Sequence, residues 1–141
     1  LGFVFPFSEI VLTNQMKFSI MPFILAFHLS FIRELIKDLH DYQGDLSLNM
    51  TTLPIIFGIN KTCYFIAAYI IFSNILFIVP YYYGFYGNLY LISLIFCIEI
   101  PLIYSMFLLI KVQTNKTFKH LSLLHKILSI LGLFVLLLTK K

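Results

Sequence analysis

The 141-residue sequence is 60% hydrophobic and 11% charged, with a formal net charge of +4 and a mean hydropathy of +0.95. Soluble domains carry about 25% charged residues, so polar surface is too scarce here to coat a globule in water. The long apolar runs do not alternate with polar residues, which excludes lipid-facing barrel strands and leaves an all-α, polytopic transmembrane helix bundle.

In chain order, the residues before Lys17 include Pro6, Glu9, Thr13 and Asn14. They read either as the tail of an earlier span and its connection or as an interfacial piece. Leu1 opens inside an apolar stretch without a signal-peptide layout, which reads as a chain lacking its natural N-terminus. The first predicted span runs from about Phe18 to Leu35 and the second from about Cys63 to Val79. The third covers about Leu89 to Ile110 and the fourth about Leu121 to Leu138. Each approaches the roughly 20 residues that a helix needs to cross the hydrocarbon core. No repeat or soluble second domain interrupts them, so residues 1–141 are expected to form one membrane domain.

The connections differ in character. Asp38 to Lys61 is long, charged and rich in Gly, Asn and Thr, whereas Pro80 to Asn88 is uncharged and rich in tyrosine, as an interfacial aromatic belt would be. Lys111 to His120 carries Lys111, Lys116 and Lys119, which are expected to meet anionic lipid; no nucleic-acid partner is expected. Two spans separate the first and third connections, so these share a face. Arg33, Lys37, Lys61, Lys111, Lys116, Lys119 and Lys126 lie near that face, against Lys17, Lys140 and Lys141 near the other. The positive-inside rule makes the first face cytoplasmic in a multi-pass protein of the cell membrane. Asn-x-Ser/Thr triplets at Asn49, Asn60 and Asn115 then read as chance matches, and Cys63 and Cys97 as small core hydrophobes.

Chemistry concentrates in Phe31 to Asp45. Four of the six acidic residues, Glu34, Asp38, Asp41 and Asp45, sit here at spacings of four, three and four. If the first span continues as a helix past Asp38, all four share one face, where like charges repel. Arg33 and Lys37 neutralise part of that charge. Mg2+ takes oxygen ligands, typically one or two carboxylates completed by substrate phosphates and water. Carboxylates beside an Arg and a Lys therefore suit a metal-bridged phosphate. The plainer alternative is a solvated, salt-bridged helix end.

The string Arg33-Glu-Leu-Ile-Lys-Asp-Leu-His-Asp-Tyr-Gln-Gly-Asp45, followed by Thr52-Leu-Pro-Ile-Ile-Phe-Gly58, resembles the second aspartate-rich motif of the UbiA superfamily of intramembrane prenyltransferases. It is most similar to the geranylgeranylglycerol-phosphate geranylgeranyltransferase branch. The resemblance implies a nine-helix fold, of which this chain would hold about the last four spans, with the motif at the cytoplasmic end of the sixth helix. It also implies two aspartate-rich motifs facing across a cavity, Mg2+ as cofactor, a prenyl diphosphate donor and a lipid or aromatic acceptor. On this resemblance Asp38, Asp41 and Asp45 hold the metal, and Asp41 with Asp45 forms the Asp-x-x-x-Asp core. Arg33 and Lys37 meet the diphosphate, Glu34 and Glu99 are further cavity candidates, and Phe-rich spans line a groove for the prenyl tail. The chain departs from the pattern after Asp45, where Leu46-Ser-Leu-Asn-Met50 replaces basic residues and a Gly. The first motif, of Asn-x-x-x-Asp type, is absent, so the chain by itself is expected to be inactive.

Other polar residues carry weaker signals. Glu99 lies mid-span before Pro101 and would face the cavity or bond a neighbouring helix. His28 is expected to hydrogen-bond across the bundle, His40 to lie among the acids as a candidate acceptor base, and His120 and His125 to be interfacial. Pro54 reads as the start of a new helix. The rival reading is an ion-coupled secondary transporter fragment, which requires ionisable groups at the midplane. A third is a non-catalytic membrane subunit.

Overall fold

A computed structural model describes the backbone of residues 20–138 and the side chains of residues 22–135. The segment before Lys17, Lys17 itself, Lys140 and Lys141 lie outside the described residues. Helix α1 spans Ile20–Ser47, α2 Leu53–Phe57, α3 Ile59–Tyr82, α4 Asn88–Lys111 and α5 Asn115–Leu138, with no strand among the described residues. By length and composition α3, α4 and residues 115–135 of α5 suffice to cross a bilayer. The first predicted span falls on the apolar N-terminal part of α1, and the helix then runs on through the charged stretch.

The four long helices alternate in direction: His28 near the start of α1 meets Tyr69 and Ser73 of α3, Tyr90 at the start of α4 donates to the Phe77 carbonyl near the end of α3, and Gly132 near the end of α5 lies against Leu25 and Leu29. The C-terminal end of α1, the start of α3, the end of α4 and the start of α5 therefore share one face of the bundle. This groups Lys61, Lys111, Lys116 and Lys119 with the acidic stretch, as the charge count requires.

Packing follows a repeating three-and-four spacing. On α1 the buried stripe is Leu25, Leu29, Ile32, Ile36 and Leu39; on α5 it is Phe118, Leu121, His125, Leu128, Gly132 and Val135. Stripes of this period bring ridges and grooves into register, and α1 makes its most extensive contact with α5. A Cβ at Gly132 would lie 3.0 Å from Leu25 Cδ2 and 3.3 Å from Leu29 Cδ1, so the missing side chain lets the two helices close together. On α3 the stripe is Cys63, Ile66, Ile70, Ser73, Phe77 and Pro80.

Helix α4 breaks the pattern. Its buried residues Tyr90, Leu94, Ile98 and Leu102 are spaced four apart throughout. In a regular α-helix each such step drifts by roughly 40°. A π-helical turn at Ile95–Glu99 accommodates an extra residue and brings Leu102 back into phase, after which Ser105 and Leu109 resume the usual spacing.

Between α1 and α3 the chain turns through α2, with Pro54 in its first turn as expected. Gly58 joins α2 to α3 at φ 85°, a left-handed conformation that favours glycine.

Two buried histidines are paired between helices. The Tyr69 hydroxyl donates to His28 Nδ1 at 2.6 Å, the phenol being the stronger donor, so His28 bonds across the bundle. His125 corrects its expected interfacial placement: it is fully buried. Helix α5 begins at Asn115, which sets His125 about 15 Å along the helix rather than at its edge. Ser105 donates to the Leu102 carbonyl at 2.9 Å, so His125 Nε2–H donates to Ser105 Oγ at 3.1 Å. His120 is exposed near the start of α5.

Replacing Gly132 with Leu should overpack the α1–α5 seam and cost about 1–3 kcal/mol. Thermal unfolding in detergent checks this: Gly132→Leu melts well below the parent protein, while Gly132→Ala, which meets only flexible side-chain ends, shifts little.

Candidate functional site

Because α1 stays helical to Ser47, Glu34, Asp38, Asp41 and Asp45 fall on one face. Glu34, Asp38 and Asp41 each lie two residues beyond a member of the buried stripe, a rotation of roughly 200°, and Asp45 continues their register. The acidic stripe therefore turns away from α5. Glu34 is exposed, whereas Asp38, Asp41 and Asp45 are half-buried.

Local neutralisation is incomplete. Arg33 Nη1 lies 2.6 Å from Glu34 Oε1, and Lys37 Nζ lies 3.9 Å from Glu34 Oε2, so both bases serve the first acid of the row, which is exposed. His40 Nδ1 lies 2.7 Å from Asp41 Oδ1. Asp38 titrates above its ordinary value: burial is the main cause, the charges of Asp45, Glu34 and Asp41 add to it, and Lys37 opposes them. The helix itself adds a further penalty. Its C-terminal end carries partial negative charge, best met by Lys or Arg, yet the last turn of α1 contains no basic residue. An arrangement serving stability alone would not place acids there.

Arg33 Nε is buried without a hydrogen-bond partner, leaving one guanidinium donor free beside the acids. Thr52 Oγ1, in the connection that follows the acidic stripe, is likewise buried and unpartnered. Among the described residues no three His, Cys, Asp or Glu side chains converge as a metal site. The acids thus form a row along a helix rather than a closed cage. That donor set fits Mg2+ shared with phosphate oxygens, because this ion uses few protein carboxylates and keeps open positions.

Glu99 stands apart. It is buried in the π-helical turn at the middle of α4, and its Oε1 has no partner. Twelve residues separate it from Lys111, about 18 Å along the helix. The structure therefore brings Asp38, Asp41, Asp45, Arg33, Lys37 and Glu34 together and leaves Glu99 at another depth.

One feature escaped residue-by-residue reading. The acidic register continues toward the N-terminus as Phe31, Phe27 and Phe23, whose rings stack in sequence with centroids 6.2 Å and 6.0 Å apart. Tyr69 of α3 meets Phe31 edge-on at 5.0 Å. The same four-and-three spacing carries the signal in the sequence, but it changes from charged to aromatic residues at Glu34.

Membrane-length helices with an acidic stripe at one end of the bundle define an integral, polytopic membrane protein of the helical class. The sequence matches the UbiA prenyltransferase family over residues 1–137, and the chain belongs to that family. A digeranylgeranylglyceryl phosphate synthase of Methanococcus maripaludis strain C6 is 40% identical over 96 residues, covering 68% of this chain and 34% of the relative. The synthase of the same name from Methanocaldococcus jannaschii is 33% identical over 131 residues, covering 90% of this chain and 44% of the relative. A solved structure concerning digeranylgeranylglyceryl phosphate synthase in membranes superposes with a TM-score of 0.86 at 30% identity, covering 97% of this chain and 48% of that one. The chain thus spans less than half the length of these relatives. Both the family and the branch expected from the motif are borne out.

The raised pKa of Asp38 has a consequence for stability. Folding disfavours its ionised form, so the penalty is absent at low pH and grows as pH rises through the raised value. Asp38→Asn should therefore be more heat-stable than the parent near neutral pH, with the gain fading as both are acidified. Paired melting curves across that range would show it.

Proposed function

We propose that this chain supplies one half of the site of a prenyltransferase that moves an isoprenyl group from a prenyl diphosphate to a lipid acceptor, a glycerol-phosphate lipid as the names of its relatives suggest. The reading rests on one observation above the others: a family member carries an under-neutralised row of carboxylates at the boundary of a helical membrane bundle. We further propose that residues 1–141 form one membrane domain corresponding to the C-terminal part of the fold, with the acidic end of α1 on the cytoplasmic side. The lysines gathered at that end support the orientation.

Asp38, Asp41 and Asp45 are the residues that would hold Mg2+, which when bound neutralises diphosphate charge and so eases its departure. Arg33, with its buried and unpartnered Nε, is placed to donate to a diphosphate oxygen. Lys37 gives a mobile positive charge one turn away. Glu34 holds both bases by ion pairs and keeps them at the rim. His40, bonded to Asp41, orients that carboxylate. A hydroxyl oxygen of the acceptor then forms the new C–O bond as the C1–O bond of the donor breaks. The bonding pair leaves with diphosphate, which also takes up the hydroxyl proton.

Assays belong in the complete protein that contains this sequence, in membranes supplied with Mg2+, geranylgeranyl diphosphate and geranylgeranylglyceryl phosphate. Asp41→Ala and Asp45→Ala should each lower turnover about 100-fold or more, since a lost metal contact removes several kcal/mol of charge stabilisation. Unchanged turnover would leave a non-catalytic subunit as the better account. Cation binding that needs no prenyl diphosphate would favour an ion-coupled carrier. The 141-residue chain tested alone should give no prenylated product, and product from it would disprove the half-site reading.

A further inference from the structure

Helix α1 ends on a bonded turn that carries the chain back toward its own acids. Met50 N–H donates to the Asp45 carbonyl at 3.0 Å and Asn49 N–H to the Leu46 carbonyl at 3.3 Å. Asn49 itself is left-handed, at φ 52°. These are the paired bonds of a Schellman stop, and α2, which follows, packs against α1. Met50 is thereby pinned beside the last acid of the row. Thr52, two residues on, lies within about 7 Å of it along the chain.

Thr52 occupies the N-cap position of α2 with the extended backbone usual there, φ −102° and ψ 160°, yet its hydroxyl makes no capping bond. A capping oxygen accepts from the N–H of the second or third helical residue. The second is Pro54, which has none. The third is Ile55, whose N–H bonds to the Thr52 carbonyl at 3.1 Å, as does that of Ile56. Oγ1 is left buried, with no hydrogen-bond partner among the described residues. A hydroxyl in that state is destabilising, whereas a methyl group in its place would not be. Valine would therefore suit this turn better for stability alone, and the hydroxyl points to a ligand.

The length of the acidic row says what that ligand is. Glu34 and Asp45 are eleven residues apart, about 17 Å along α1. A diphosphate, two phosphoryl groups sharing one oxygen, covers only a fraction of that. Arg33 stands at the inner end of the row, and the last turn of α1 holds no basic residue. A phosphate at the outer end therefore meets no cationic side chain of that turn, and a neutral donor beside Asp45 is what the chain provides. Thr52 is only half-buried, so one rotamer step about χ1 exchanges its methyl group and hydroxyl.

We propose that Thr52 is a substrate-binding residue whose hydroxyl donates to a phosphate oxygen at the outer end of the acidic row. This rests on the prenyl-transfer reading above. Both substrates of that reaction carry phosphate, the donor in its diphosphate and the acceptor in its headgroup, and each presents the same oxygen chemistry. Being neutral, the hydroxyl adds direction rather than charge: it fixes where along the row a phosphate oxygen sits.

The test compares Thr52→Val and Thr52→Ser with the parent in the complete protein, in membranes supplied with Mg2+, geranylgeranyl diphosphate and geranylgeranylglyceryl phosphate. Valine keeps the branched shape without the hydroxyl, and serine keeps the hydroxyl. Thr52→Val should raise KM about 10- to 100-fold, the range of one hydrogen bond to a charged group, while Thr52→Ser stays within about threefold of the parent. A rise in the KM of the donor assigns the diphosphate, and a rise in that of the acceptor assigns its headgroup phosphate. The melting temperature of Thr52→Val in detergent should equal or exceed that of the parent, because an unpaired buried hydroxyl has been removed. A lower melting temperature would show that the hydroxyl bonds to protein, and KM values unchanged for both substrates would show that it meets neither. Each of those results overturns the proposal and leaves prenyl transfer intact. A parent protein that transfers no prenyl group would overturn both readings at once.

Discussion

Four carboxylates on one face of a single helix, at the end where the helix dipole is already negative, set the terms for everything around them. In water such a row would be tolerable, because a high dielectric and salt weaken its repulsion. At the boundary of a bilayer the same row is destabilising, and its charges add to the burial that is the main cause of the raised Asp38 pKa. The bases beside the row offset it only in part, since Arg33 and Lys37 both pair with Glu34 while Lys37 also acts on Asp38. The rest of the bundle is arranged to carry the row. The α1–α5 seam, closed up at Gly132, packs the opposite face of α1 and leaves the acidic face turned away from α5.

Much of this was legible in the amino-acid order. The spacing of Glu34, Asp38, Asp41 and Asp45 makes sense only if α1 runs past the membrane boundary, and it does so as far as Ser47. Pro54 marks the start of α2, and the long apolar runs locate α3, α4 and α5 to within a few residues, apart from the start of α5. That start is six residues earlier than the predicted span because Asn115, Lys116 and Lys119 belong to a helical turn outside the apolar run. Hydropathy marks where apolar residues begin, whereas a helix continues for as long as its backbone bonds are made.

The same offset explains His125. Its polarity drew it toward the boundary, yet it occupies the seam position shared by Phe118, Leu121 and Leu128, and the buried Ser105 supplies its partner. Pairings of this kind, like that of His28 with Tyr69, join residues 20 and 41 positions apart. One strand of sequence shows each half of such a pair and nothing of its meeting. Inside lipid neither half would be tolerated alone, so each bond also fixes which helix faces which.

The π-helical turn of α4 matters for depth as well as for phase. A regular helix with one residue fewer between Ile95 and Glu99 would keep Tyr90, Leu102 and Ser105 in their present phase, and His125 would still find its serine. The π turn thus lets α4 hold one residue more than a regular helix of the same phase would. The consequence is a widened turn in mid-membrane that carries a buried carboxyl, Glu99, whose Oε1 bonds to no other group described: one acid held apart in depth from the row on α1.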